Sequence, residues 1–116
     1  MSAFTEYANI VGYCPRAYSW NDPQGVKFVQ DLQVPYQLYG FSKGAETVAQ
    51  LLKTKIKPPE YVLTIGAYKT VNLNFDSYKV RYQNYFDNSG QGQKSPGIFL
   101  NVPHMQMQRE VNKING

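Results

Sequence analysis

Apolar and polar positions alternate along much of this chain with a period of two, the mark of extended segments with one buried face. From Val26 to Phe41, Leu32, Val34, Tyr36 and Leu38 alternate with Gln33, Pro35, Gln37 and Tyr39, and Asp31 or Pro35 divides the stretch into two strands. Glu60 to Thr70 places Tyr61, Leu63, Ile65 and Ala67 on one face and Val62, Thr64, Gly66 and Tyr68 on the other. After a polar turn through Asn72 to Asp76, Ser77 to Phe86 sets Tyr78, Val80, Tyr82 and Phe86 against Lys79, Arg81, Gln83 and Tyr85. Nearer the start, Tyr7, Ile10, Val11 and Tyr13 supply strand material that Cys14-Pro15 interrupts. Trp20-Asn21-Asp22-Pro23-Gln24-Gly25 then reads as the turn of a hairpin.

One segment has helical spacing. From about Gly44 to Lys55, Ala45, Val48, Leu51 and Leu52 recur at three and four residues, Ser42 stands where a cap belongs, and Lys53, Lys55 and Lys57 suit the negative end. Pro58-Pro59 stops it. Asp87 to Gly97 is rich in turn formers and reads as a mobile loop, and Ile98 to Val102 as a last short strand. In the tail, Met107, Val111 and Ile114 make one side of a helix too short to stand alone.

A length of 116 residues is about one domain, and the layout predicts a mainly β barrel over 1–102 with a tail over 103–116. Three extended segments, a short helix and two further strands, over residues 4 to 87, resemble the OB-fold: a five-stranded barrel with one short helix between its third and fourth strands. Within that class the aromatic content and basic charge resemble the small phage-type single-stranded DNA-binding proteins. That resemblance implies a role in viral or plasmid DNA replication or recombination. The C-terminus departs from the bacterial type of these proteins, because Gln108 to Gly116 is not an acidic tail with a hydrophobic tip.

Composition narrows the field. Hydrophobic residues make up 42%, charged residues only 17% and aromatics 15%, so Asn, Gln, Ser and Tyr must supply much of the polarity. Twelve Lys and Arg against eight Asp and Glu leave a net charge of +4, a mild preference for polyanions. Cys14 is the only cysteine, which excludes an internal disulfide and a cysteine-held zinc. No cationic leader and no apolar run of membrane-spanning length is present, so a cytoplasmic protein without a membrane partner is expected.

Seven aromatic residues between Tyr61 and Phe86 are interleaved with Lys69, Lys79 and Arg81. Rings stack on bases and cations meet phosphates, so this pattern predicts a surface for single-stranded DNA or RNA without sequence preference. Its candidate residues are Tyr18, Trp20, Lys27, Lys69, Lys79, Arg81 and Tyr85. One small domain covers few nucleotides, so a homodimer or homotetramer is expected, and no cofactor. Tyrosine also favours protein interfaces, which keeps a protein-interaction or viral assembly or inhibitor module as the alternative.

Catalysis is not predicted. His104, the only histidine, sits in what reads as a loose tail, and Cys14 has no flanking residues that pair it with His104. The eight carboxylates are scattered, and Gly90-Gln91-Gly92 is not a phosphate loop. An enzyme would require carboxylates that converge only in space.

Overall fold

The computed structural model describes residues 15–68, 72–73, 78–90 and 95–115. The strand expected around Tyr7 to Tyr13, the place of Cys14 and that of Lys69 lie outside these residues. Among the described residues three α-helices, α1 (Pro23–Asp31), α2 (Lys43–Leu52) and α3 (Met107–Asn115), accompany four strands, β1 (Gln37–Phe41), β2 (Tyr61–Ile65), β3 (Arg81–Phe86) and β4 (Ile98–Phe99). The strands form one sheet in the order β1-β2-β3-β4, every neighbouring pair parallel.

This α/β architecture replaces the expected five-stranded OB-like barrel, and the reason is local. The Asn21-Asp22-Pro23 signal opens a helix and not a hairpin: the Asp22 carboxylate accepts the Gln24 N–H at 2.9 Å, and Pro23 takes the first helical turn. The segment read as strand from Val26 onward is therefore α1, and the extended chain begins only at Gln37. With that hairpin gone, β1, α2 and β2 form a βαβ unit whose strands must run parallel.

Burial of both sheet faces explains the rest. Val62, Leu63, Thr64 and Ile65 are all buried, as in a central parallel strand and unlike the one-sided strand of a small barrel. On one face Val62 packs with Ala45, Val48, Ala49 and Leu52 of α2 and with Ala67 and Leu73. On the other, Leu63, Ile65 and Tyr85 pack with Met107 and Val111 of α3. Each large side chain so buried contributes roughly 1.5–3 kcal/mol. The residues read as a tail thus complete the second core layer, although Ile114 remains exposed. Among the described residues, no helix is long and apolar enough to cross a membrane.

Candidate active site

Because the strands are parallel, all their carboxyl ends lie at one edge of the sheet, where open α/β sheets place their ligand sites. β1 ends at Phe41 and the next residue is Ser42; β3 ends at Phe86 and the next is Asp87; His104 follows β4 by a short connection. These three side chains converge. His104 Nε2 lies 3.0 Å from Ser42 Oγ, and His104 Nδ1 lies 2.5 Å from Asp87 Oδ2. An ionised carboxylate can only accept, so in the neutral ring Nδ1 carries the proton and Nε2 accepts from the Ser42 hydroxyl.

Ser42 is held in a sharp turn between β1 and α2. Its backbone adopts φ 58° and ψ −120°, a conformation that costs a non-glycine residue on the order of 1–3 kcal/mol. Two bonds hold the turn: the Ser42 N–H donates to the Ile65 carbonyl at 2.8 Å, and the Ala45 N–H to the Ser42 carbonyl at 3.0 Å. Gly40 allows α2 to approach, because a Cβ there would stand 2.6 Å from the Gly44 carbonyl oxygen and 2.8 Å from Ala45 Cα. Expected as a helix cap, the Ser42 side chain makes no capping bond, and its hydroxyl faces His104 instead. The Lys43 N–H, first in α2, has no intrahelical acceptor and adds the positive end of the helix dipole beside Ser42.

Asp87 is almost wholly buried, its side chain 2% exposed. Its Oδ1 accepts the Ser89 N–H at 2.8 Å and the Ser89 hydroxyl, which leaves Oδ2 for the imidazole. Burial by itself would raise its pKa. The bonds from the Ser89 hydroxyl, His104 and the Ser89 amide, with the charge of His104, outweigh burial and hold the carboxyl below its ordinary value.

His104 does not belong to a loose tail. It opens a 3₁₀ turn, His104–Gln106, that runs directly into α3, and α3 is anchored by fully buried Met107 and Val111. The Phe41 ring stacks on the imidazole at 5.1 Å between centroids and 20° between planes. Gly66, just beyond β2, supplies the space the ring occupies.

The described residues among those expected to bind nucleic acid are not brought together. Trp20 lies at the start of α2 under the Lys43 ammonium, 4.7 Å from its ring, while Tyr18 packs at 5.7 Å from Phe28 of α1. Lys27 pairs with Asp31 at 3.6 Å, both exposed. Lys79 and Arg81 are exposed at the amino end of β3, where the Arg81 guanidinium lies 5.9 Å from the Tyr61 ring. Six residues of strand at about 3.3 Å each separate that end from the Ser42 edge. Tyr85, expected beside Lys79 and Arg81 on a solvent face, is 1% exposed in the core under α3. Side chains of β3 itself alternate as expected, but the strand begins only at Arg81: Tyr78 and Lys79 lie in a turn, Lys79 with φ 55°, and α3 covers the face expected to meet solvent.

Sequence reasoning missed Ser42, Asp87 and His104 as a group. The signal that finds the first is Gly40-Phe41-Ser42-Lys43-Gly44, a G-x-S-x-G spacing between an apolar strand and an amphipathic helix. Asp87 and His104 carry no local signature. Their order, Ser then Asp then His, is that of nucleophile, acid and base in hydrolases with such a strand-to-helix turn. No protein-family model, no curated protein and no solved structure matches this chain.

Proposed function

We propose that this protein is a serine hydrolase that cleaves an ester or a similarly reactive acyl bond, with Ser42 as nucleophile, His104 as general base and Asp87 as the group that orients His104. The observation that carries this reading is the unbroken hydrogen-bonded line from Ser42 Oγ through the His104 ring to buried Asp87. Support comes also from the strained Ser42 backbone, since strain of this kind is kept where a side chain must be held exposed and aimed. The described residues among those expected to bind nucleic acid lie on different ends and layers of the fold and form no such constellation.

In the proposed reaction, Ser42 Oγ attacks the acyl carbon as His104 Nε2 takes the hydroxyl proton. The oxyanion so formed faces the Lys43 N–H and the positive end of α2. Collapse of the tetrahedral species breaks the acyl–oxygen bond, and His104 returns its proton to the departing alcohol. A water molecule, deprotonated by the same imidazole, then releases the acid from Ser42. Through these steps the buried Asp87 carboxylate keeps the Nδ1 proton in place and offsets the charge of the imidazolium.

The test is hydrolysis of 4-nitrophenyl acetate, together with covalent labelling by a fluorophosphonate probe. Wild-type protein is expected to turn over the ester and to carry the label on Ser42, and Ser42→Ala to do neither. Labelling that survives Ser42→Ala, or equal turnover by both proteins, would overturn the proposal.

A further inference from the structure

Alongside α2 lies a depression of about 260 Å³, lined in part by Trp20, Asn21, Asp22, Glu46, Thr47 and Gln50. Its position ties it to Ser42. Glu46 and Thr47 stand four and five residues beyond Ser42, which at about 1.5 Å per helical residue is some 6–8 Å along the axis. Lys43, the neighbour of Ser42, holds its ammonium over the Trp20 ring, and the Thr47 hydroxyl donates to the Trp20 carbonyl at 2.7 Å. The segment carrying the indole is therefore fastened to the same helix start that carries the nucleophile.

The chemistry of the lining is specific. Trp20 remains 48% exposed, and its broad apolar ring shares the lining with Pro23 and Val26 as well as with the polar side chains. Around it the Asn21, Glu46 and Gln50 side chains form no hydrogen bond or ion pair with the described residues, and the Asp22 carboxylate shows one, to the Gln24 N–H. Amide and carboxylate groups at the edge of an exposed indole match a sugar ring. The C–H face of a sugar fits the ring face that the Lys43 ammonium does not cover, and its ring of hydroxyls both donates to carboxylates and accepts from amides. At 260 Å³ the depression falls below the roughly 300–1,000 Å³ of sites for drug-sized ligands, so it suits one ring.

We infer that this depression is a subsite for one sugar unit on the alcohol side of the scissile ester, so that the substrate is an O-acylated carbohydrate. The inference rests on the serine hydrolase reading. In the reaction it implies, the acyl–oxygen bond to the sugar breaks, the acyl group passes to Ser42 Oγ, and the sugar hydroxyl leaves with the proton from His104 Nε2. Water then releases the carboxylic acid.

Two measurements test it. In the first, kcat/KM is determined for 6-O-acetyl-glucose, which keeps its other hydroxyls free, and for 4-nitrophenyl acetate, and the ratio of the two is compared among wild type, Trp20→Ala and Gln50→Ala. The ratio is expected to fall about tenfold, the value of one interaction worth about 1.4 kcal/mol. Gln50 is exposed on α2, so its replacement leaves the fold in place if Trp20→Ala does not. An unchanged ratio in Gln50→Ala and in any folded Trp20→Ala would overturn the subsite.

The second measurement is titration of Ser42→Ala with cellobiose while the emission of Trp20, the only tryptophan, is followed. A saturable change that Glu46→Gln weakens supports the subsite, and no change up to saturating sugar overturns it. This binding readout does not depend on turnover, so it separates the two ideas. A Ser42-dependent aryl esterase whose indole ignores the sugar keeps the hydrolase reading and loses this one; sugar binding without any Ser42-dependent turnover does the reverse.

Discussion

Gly66 leaves the space that His104 fills: a Cβ at residue 66 would stand 2.7 Å from Cε1 and 2.9 Å from Nδ1 of the imidazole. Its φ of +65° adds a conformational cost of about 1–2 kcal/mol for any other residue. Gly66→Ala is expected to fold with a lowered melting temperature and to lose about a hundredfold in kcat for ester hydrolysis, because the ring must move from between Ser42 and Asp87. Kinetics and a thermal melt of the same preparation check both parts. Wild-type kcat in Gly66→Ala would show that the ring is not confined there.

Ser89 makes two bonds to Asp87 Oδ1 and so presents Oδ2 to His104. Ser89→Ala removes the hydroxyl that helps hold the Asp87 carboxyl below its ordinary value, so Asp87 takes up a proton at higher pH. The acid limb of the pH profile of kcat/KM is expected to move to higher pH, and Ser89→Thr, which restores a hydroxyl, to move it back. A purely structural role would lower the melting temperature and leave that limb in place.

Acid stability follows from the lowered pKa of Asp87. Since the folded value lies below the ordinary 3.8, the carboxylate contributes stability that is present above that value and is lost as pH falls through the folded pKa. Chemical denaturation across the acid range should show wild type losing stability as pH falls below 3.8, and Asp87→Asn losing less over the same window. The same substitution should lower kcat on the order of 10⁴-fold at neutral pH, because an amide in place of the carboxylate favours the wrong imidazole tautomer. Parallel acid curves for the two proteins would remove Asp87 as the source.

Tyr85 and the cations of its strand have opposite expectations. Tyr85→Ala empties a site packed by Leu63, Ile65, Met107 and Val111 and should cost about 3–5 kcal/mol. Neutralising the exposed Lys79 and Arg81 together should change stability by about 0.5 kcal/mol each or less. Urea titrations of the two variants decide the matter, and a stable Tyr85→Ala would contradict burial under α3.

Much of the local structure is written in the chain. The spacing of Ala45, Val48, Leu51 and Leu52 predicts α2 within a few residues of its bounds, and Met107 with Val111 predicts the buried side of α3. Alternation predicts which residues of β2 and β3 share a face. These readings succeed because helical and strand periods are properties of neighbouring residues. Asp22-Pro23 is different, since the same pair begins a turn or a helix, and the choice is made by what the next turn can pack against.

Sheet direction and the meeting of the site residues belong to the tertiary structure. Period two fixes faces and says nothing about what covers them, so a strand under two helices reads like the wall of a barrel until α2 and α3 are in place. Ser42 alone has a local sign, in the spacing of Gly40 and Gly44. Ser42 and His104 are separated by 62 positions, and Asp87 and His104 by 17. What joins them is the parallel sheet: strands that run the same way end at the same edge, and residues far apart in sequence meet there because each stands just past a strand end or, for His104, at the anchored start of α3.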